Sequence, residues 1–264
     1  MLSSERKMLI IDYINQNGTV TIQELANKFT VSEMTIRRDL EDLDKQNVIK
    51  RIYGGAMKIE EPFHVKLPFE ERKDQFIEEK QRIGKVAASL VKDRDTILLD
   101  SGTTCLEIAK HLHDKNHLFA ITNYIPNAIE LSANKSSEVF IVGGFLKESN
   151  QLNLVGSHAL EILDQFSVDK LFLGAMGLHE KRGLVYYEVE EALIRKKMIE
   201  IAKQVYVVID SSKFGKDGLF SIGSFSNLHT IITDDKISEE YIDIITSKGI
   251  KLIIVSENET ESIS

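Results

Sequence analysis

VSEMTIRRDLEDL, residues 31–43, with the basic, glycine-closed KRIYGGA at residues 50–56, reads as a DNA-reading helix followed by a small wing. Ser32 is a good N-cap, and Ile36, Leu40 and Leu43 recur at the i, i+4, i+7 spacing that lays one apolar stripe against a core. On the same wheel Met34, Arg38, Glu41 and Lys45 stand opposite the stripe, with Thr35 and Arg37 on its flanks. The DNA-compatible chemistry therefore lies in the first half of the helix, the end that enters a major groove first. An arginine there pairs bidentately with guanine while its neighbour neutralises phosphate.

An isolated Arg-Arg pair usually marks only a solvated helix face. The surroundings of Arg37-Arg38 point elsewhere. Thr21-Ile22-Gln23-Glu24 is a capping box opening a short helix with Leu25, Ala26 and Phe29 inward, which gives helix-turn-helix spacing over about residues 20–39. Before it, Glu5 to Asn15 is another amphipathic segment with Leu9, Ile10 and Ile14 as its apolar positions, and Gly18 ends it. After the recognition helix, Val48 to Tyr53 is strand-like and Gly54-Gly55 permits a tight turn. Lys50 and Arg51 on that strand suit phosphate contact. A winged helix-turn-helix domain over residues 3–58 follows, with Ser32, Met34, Thr35, Arg37, Arg38, Lys50, Arg51, Tyr53 and Gly54 as its candidate DNA-contacting residues. Double-stranded operator DNA is the expected partner.

With 264 residues, such a domain leaves enough chain for a second, larger core. The sequence lacks an apolar run long enough to span a bilayer, and Glu5, Arg6, Lys7 and Asp12 interrupt any signal-like start, so a cytoplasmic protein without membrane contact is expected. A single Cys excludes an intrachain disulfide. The net charge of −8 looks wrong for a DNA binder, yet Met1 to Met57 holds eight Lys+Arg against eight Asp+Glu, so the acidic excess belongs to the remainder. An acidic bulk disfavours indiscriminate DNA binding and leaves Arg37, Arg38, Lys50 and Arg51 as the electrostatic footprint.

Residues 59–75 read as a linker and the start of a connecting helix, since Pro62 and Pro68 are two of only three prolines. Phe69 to Val91 then looks largely helical, with Pro68 suited to its N1 position; Ile83, Val86, Ala87, Leu90 and Val91 form a buried stripe, and the charged first half, EERKDQFIEEKQR, is a solvated connecting helix. From Thr96 onward the strands TILLD, LFAIT, VFIVGG, KLFLGAMG, VYVVID, TIIT and LIIVS alternate with helices, which predicts a mainly parallel α/β domain over residues 76–256. Residues 257–264 read as a frayed tail.

In such a sheet, chemistry sits where strands end. Asp100-Ser101-Gly102-Thr103-Thr104 follows the first strand and opens a helix, bringing hydroxyls, backbone N–H groups and a positive helix terminus together, which suits a phosphate. Asp210-Ser211-Ser212-Lys213 adds an ammonium on another loop, and Gly143, Gly144 and Gly177 permit close backbone approach at further strand ends. Other groups read as structural. Cys105 is expected to be a small buried hydrophobe. His111, His113 and His117 diverge on a helix, so no metal is expected. Glu188, Glu190 and Glu191 carry favourable charge at a helix N-terminus, with Glu191 also a candidate for the pocket.

The TIRRDL and YGGA elements match closely those of the DeoR-type winged helix-turn-helix domain of bacterial transcriptional regulators, which residues 3–58 resemble. The resemblance implies that Thr35, Arg37 and Arg38 grip operator DNA. Residues 70–255 resemble the DeoR C-terminal sensor domain, whose fold is similar to ribose-5-phosphate isomerases. In those isomerases a Gly-Ser/Thr loop holds the phosphate and an Asp-x-Ser-Lys element lies near the sugar, which by position implies Asp100 to Thr104, and Asp210 with Lys213. Where the isomerases carry an acidic Asp-Gly-Ala-Asp-Glu loop, this chain has Gly174-Ala175-Met176-Gly177-Leu178, with no carboxylate to move a proton.

The expectation is a non-enzymatic regulator without cofactor: a repressor of a carbohydrate-utilisation operon, relieved by a phosphorylated sugar or related metabolite, self-associating as a dimer or tetramer to match a symmetric operator. An isomerase-like or CoA-transferase-like enzyme with an accessory DNA-binding domain explains the C-terminal fold but leaves the winged helix without a purpose. An architectural DNA-binding protein explains the arginines but not a phosphate-shaped pocket.

Overall fold

The apolar periodicities above become two compact units, Met1–Val65 and Lys66–Ser264, in a computed structural model that describes residues 3–45, 49–58, 69–146, 152–257 and 260–263. The first unit runs α1 (Ser3–Asn17), β1 (Thr19–Thr21), α2 (Ile22–Phe29), α3 (Glu33–Lys45), β2 (Ile49–Ile52) and β3 (Gly55–Lys58). Its core is the expected one, with Ile10, Ile14, Leu25, Ala26, Ile36, Leu40 and Leu43 buried together, but Leu9 is 42% exposed and does not join it. The Thr21 side chain accepts from Glu24 N–H while the Glu24 carboxylate accepts from Thr21 N–H, closing the capping box that starts α2. Thr30 ends α2 in a left-handed conformation, and Ser32 Oγ accepts from Thr35 N–H to start α3.

The wing has a strand that sequence reading missed. β1 pairs antiparallel with β3, which also pairs with β2, in the order β1-β3-β2. Gly55 is required by this close approach, because a Cβ there would meet the Val20 carbonyl oxygen at 2.1 Å. Two ion pairs tie α1 to α3: the Arg6 guanidinium with Asp39 at 2.6 Å, buried, and Lys7 with Asp42 at 2.6 Å.

The second unit contains α4 (Phe69–Asp74), α5 (Ile77–Ser89), β4 (Thr96–Leu99), α6 (Thr103–Lys110), β5 (Phe119–Thr122), α7 (Ile125–Leu131), β6 (Glu138–Ile141), β7 (Phe145–Leu146), β8 (Leu154–Val155) and α8 (Ser157–Leu163). It continues with β9 (Val168–Leu173), β10 (Gly177–His179), β11 (Gly183–Tyr186), α9 (Val189–Glu200), β12 (Ala202–Val208), β13 (Phe220–Ser221), β14 (Thr230–Asp234), α10 (Glu239–Ser247), β15 (Lys251–Val255) and β16 (Thr260–Ile263). Eight strands form one sheet in the order β16-β15-β14-β12-β9-β4-β5-β6, parallel throughout except for β16. Alternation along each strand splits the core into two layers. Ile97 and Leu99 pack with Ile83, Ala87, Ile108 and Ala109 of α5 and α6, while Leu98 and Leu171 pack in the cluster of Ala159, Ile194, Met198 and Ile245 from α8, α9 and α10. Strand order reverses between β4 and β9, the position at which the loops on either side diverge and leave a crevice.

Three expectations need correction. Phe69 to Val91 is not one helix: α4 and α5 meet at Gln75-Phe76, where Phe76 takes a left-handed φ of 54° that no continuous helix admits. Its charged first half is not simply solvated either, since Glu79 and Lys80 are buried, the former paired with Lys236. The tail is not frayed throughout, because β16 pairs antiparallel with β15 and completes the sheet. Val48, most of the linker and Pro68 lie outside the described residues. Among the described residues no helix is long and apolar enough to cross a membrane.

Candidate functional site

In the first unit, burial of Ile36, Leu40 and Leu43 turns the remaining face of α3 outward. Met34 is 68% exposed, Arg37 and Arg38 are exposed, and Thr35 is half-buried with its hydroxyl 2.9 Å from that of Ser32. Arg37 makes an exposed i,i+4 pair with Glu33 at 3.3 Å, a contact weak enough in water to be exchanged for a phosphate. On the wing, Lys50, Arg51, Tyr53 and Gly54 are all exposed, and Tyr53 projects from the β2–β3 turn with no protein cover. Arg51 N–H donates to Asp44 at 2.9 Å, fixing the base of the wing to the end of α3.

In the second unit, a pocket opens at the C-terminal ends of β4, β9 and β12. Ser101 to Cys105 line it from the β4–α6 loop, Gly174 to Met176 from beyond β9, and Asp210 with Lys213 from beyond β12. Gly102 is the N-cap of α6 with φ 131°, a conformation open to glycine, and no side chain caps the helix. The first-turn amides of α6 and its positive dipole end thus meet the hydroxyls of Ser101, Thr103 and Thr104 on the pocket wall.

Beneath this wall lies an ion network. Asp100 is fully buried; it accepts from Arg195 Nε at 2.8 Å, Ser101 N–H at 2.7 Å and Gly174 N–H at 3.2 Å. The same guanidinium pairs with Glu191 at 3.0 Å, donates to Ser101 Oγ at 2.9 Å and lies 4.6 Å over the Tyr186 ring. Tyr186 in turn donates its hydroxyl to the Gly174 carbonyl at 2.7 Å, and Asn153 donates to Glu191 at 2.9 Å. Burial works to lower the Arg195 pKa, but Asp100 and Glu191 outweigh it and hold the guanidinium charged. Burial pushes the Asp100 carboxyl up while Arg195 pulls against it. Asp210, 1% exposed, accepts from Ser212 N–H through Oδ1, whereas its buried Oδ2 accepts from no described residue.

Among the sequence candidates, Ser101, Gly102, Thr103, Thr104, Asp210 and Lys213 line the pocket. Asp100 and Glu191 stand behind it and position Arg195. Three glycines are elsewhere. Gly143 has only the Ile162 side chain near its Cβ direction, Gly144 sits against the Val155 carbonyl beside the β7–β8 hairpin, and Gly177 packs on Lys216 at the start of β10. Each was read as a strand-end glycine facing a ligand, but none lines the pocket, and the close approach at Gly144 and Gly177 is to protein atoms instead.

Sequence reading missed Arg195, Arg72, Lys80, Tyr124, Asn153 and Tyr186. Arg195 carries a signal in hindsight, because Glu191 stands four residues before it on α9, the spacing of an intrahelical ion pair. Arg72 and Lys80 were read as solvated helix charges, yet Arg72, Gln75, Phe76 and Lys80 line the pocket and the Lys80 ammonium donates to the carbonyls of Arg72 and Gln75. Burial lowers the Arg72 pKa and brings that of Lys80 down to about 8. Cys105 is buried, its thiol 3.6 Å from the Phe172 carbonyl and its pKa pushed well up by burial. His111 bonds the Glu107 carbonyl and His113 pairs with Glu130.

A winged helix-turn-helix unit followed by a doubly wound α/β unit with a polar pocket at its switch point defines a transcriptional regulator carrying its own sensor domain. Residues 6–61 match the DeoR-like helix-turn-helix domain and residues 75–235 the DeoR C terminal sensor domain. The chain belongs to the DeoR family of transcriptional regulators. It is 34% identical over 260 residues to the HTH-type transcriptional repressor GlcR of Bacillus subtilis, covering 98% of this chain and 99% of that one. It is 35% identical to the HTH-type transcriptional regulator IolR of the same organism over 87% of this chain and 90% of the relative, and 31% identical to the glycerol-3-phosphate regulon repressor of Escherichia coli over 96% and 99%. These relatives are regulators, not enzymes. Among solved structures, a ribose-5-phosphate isomerase in complex with phospho-erythronic acid matches with a TM-score of 0.42 at 12% identity, covering 71% of this chain and 98% of that one.

Proposed function

We propose that this protein represses a carbohydrate-utilisation operon and releases its operator when a phosphorylated sugar or related metabolite binds the pocket of the second unit. Residues 3–58 read the DNA through α3 and the wing, with Thr35, Arg37 and Arg38 at base edges and phosphates and Lys50 and Arg51 on the flanking backbone. Residues 76–256 sense the effector and hold the protomers of a dimer or tetramer, so that paired heads meet a symmetric operator.

The observation that carries the effector class is the uncapped α6 N-terminus ringed by Arg72, Lys80 and Lys213. Arg195 is paired with Asp100 and Glu191, and Arg72, Lys80 and Lys213 bring three further positive charges to a lining whose one carboxylate among the described residues is Asp210. That surplus favours an anion. Asp210 Oδ2, buried without a donor, fits a sugar hydroxyl beside it. Two of the relatives above are named as repressors, one of them of the glycerol-3-phosphate regulon, in keeping with this reading.

Footprinting the full chain on the promoter nearest its own gene, repeated against a panel of sugars and their phosphates, tests the proposal. One or more phosphosugars should abolish a footprint that the matching free sugars leave intact. A footprint insensitive to the whole panel, or lost equally with free and phosphorylated sugars, refutes it.

A further inference from the structure

We propose that Met34 selects thymine: its side chain packs on the C5-methyl group of a thymine in the major groove and makes that base part of the operator's sequence requirement. This deepens the reading of α3 as the helix that touches operator DNA and rests on it.

Met34 is an outlier on its helix. Among the described residues of α3 the exposed side chains are those of Glu33, Met34, Arg37, Arg38 and Glu41, and Met34 alone is apolar. At 68% exposure it takes little cover from the core that Ile36, Leu40 and Leu43 build on the opposite side of the helix. Nor does it start the helix. Ser32 Oγ accepts from Thr35 N–H at 3.2 Å and lies 2.9 Å from the Thr35 hydroxyl, so those two residues set the first turn.

Helical geometry fixes where Met34 stands. Glu33 is the first residue of α3, so Met34 belongs to the turn that enters a groove first. Arg38 follows one turn later on the same face, because side chains four residues apart lie one above the other. A singly exposed apolar side chain on an ordinary surface simply stays in water. Here Arg37 and Arg38 draw the same face onto a polyanion, and Met34 loses its water when DNA binds.

The chemistry of the groove then names the partner. The edges of A, G and C offer donors and acceptors, whereas T carries one apolar group, its methyl, beside the O4 acceptor. A methionine covering a polar edge displaces water without replacing its hydrogen bonds, which is a net cost. On a thymine methyl it removes apolar surface from both partners, and its unbranched stem adapts to the fit. Thr35 has a methyl of its own, but that residue is half-buried and its hydroxyl is held at Ser32. One helical turn rises about 5.4 Å and one base pair about 3.4 Å, so the thymine lies within about two base pairs of any base that Arg38 contacts.

Fluorescence anisotropy with the full chain tests this on the duplex that its footprint defines, each thymine being replaced in turn by deoxyuridine, which lacks only the methyl. Wild type should lose about fourfold in affinity at one or more positions, the worth of one buried methyl group. Met34→Ala, at an exposed helical position where alanine is well tolerated, should fold as wild type by circular dichroism. It should lose about fourfold on the unmodified duplex and nothing further when the same thymine is replaced, since the two changes remove one contact. Thr35→Ser, which drops a methyl and keeps the hydroxyl, should retain the wild-type response to deoxyuridine. Wild type indifferent to every replacement, an equal response in Met34→Ala, or a response lost in Thr35→Ser and kept in Met34→Ala overturns the assignment and leaves α3 at the operator. A chain that protects no DNA overturns this and the operator reading together.

Discussion

Replacing Arg195 by Met isolates the electrostatic floor of the pocket, because the methionine stem keeps most of the packing while the guanidinium disappears. Arg195 is buried and holds Asp100 at 2.8 Å and Glu191 at 3.0 Å, both themselves buried. Its loss leaves two buried carboxylates without the guanidinium they share, which costs about 3 to 5 kcal/mol for a broken buried pair. For a unit of this size each kcal/mol moves the midpoint about 2 to 4 °C, so thermal melting followed by circular dichroism should fall by roughly 6 to 20 °C at pH 7. The pH dependence has a definite sign. Buried and deprived of that guanidinium, Asp100 and Glu191 take up protons in the folded variant at a higher pH than in the unfolded chain, where carboxyls titrate near 4. The folded variant then binds more protons than its unfolded form, and the gap to wild type narrows as pH falls from about 7 to about 5. Adding Asp100→Asn and Glu191→Gln to Arg195→Met removes the stranded charges and should recover at least half of the loss at pH 7. A single variant within about 1 kcal/mol of wild type at neutral pH, or a gap that does not narrow with acid, refutes the view that this network holds the pocket floor.

Arg37→Ala and Arg38→Ala each leave the Ile36/Leu40/Leu43 stripe untouched, so both should melt as wild type; fluorescence anisotropy on operator DNA should show a loss of about 1 to 3 kcal/mol for a base contact, or a salt slope reduced by about one for a phosphate contact. Unchanged affinity in both removes α3 from the interface. Thr103→Ala and Lys213→Ala should give folded, operator-binding proteins that no longer release DNA with any phosphosugar that releases wild type, which gel-shift titration reads directly. Lys80 releases its proton near pH 8 when folded but near 10.4 when unfolded, so the stability of wild type relative to Lys80→Met should rise between those values by at most about 3 kcal/mol, seen in urea unfolding at stepped pH. A flat difference over that range contradicts the burial of a strained ammonium.

The N-terminal unit was legible because its signals are local. The Thr21/Glu24 box, the Ser32 cap and the α3 stripe each lie within a few residues, and helical periodicity alone orients Arg37 and Arg38 outward. The short β1 was not legible, since Thr19–Thr21 is too brief to show alternation and exists by pairing with β3, more than thirty residues away. In the second unit the strands announced themselves as apolar runs, and the loops after β4 and β12 were recognisable by their hydroxyls and glycine. Half of the pocket was not. Arg195 reaches Asp100 across 95 positions of sequence, and a buried arginine on α9 looks no different in sequence from a solvated one until its partners are placed. Lys80 was misread for the same reason in reverse: its charge suggested solvent, but the α4–α5 break turns it inward onto the Arg72 and Gln75 carbonyls. The glycines failed differently, because Gly144 and Gly177 do permit close approach, only to Val155 and Lys216 instead of a ligand.

The pocket accordingly has a cross-bonded floor and a separate cationic wall. Asp100, Glu191, Arg195, Tyr186 and the Gly174 backbone are cross-bonded within the sheet ends, and moving any one of them strands a buried charge or hydroxyl. A part so costly to move serves badly as a switch. The cationic wall, Arg72 and Lys80, comes from a short helix and from α5 beyond a left-handed phenylalanine, with the Lys80 ammonium bonded to the Arg72 and Gln75 carbonyls. A tenfold to hundredfold loss of operator affinity needs only about 1.4 to 3 kcal/mol of coupling. One or two charge-assisted hydrogen bonds from a ligand, worth about 1.5 to 3 kcal/mol each, reach that range if they form in one conformation and not in another. In the proposed repressor, only bonds that the effector makes in one conformation and not in the other can change operator affinity.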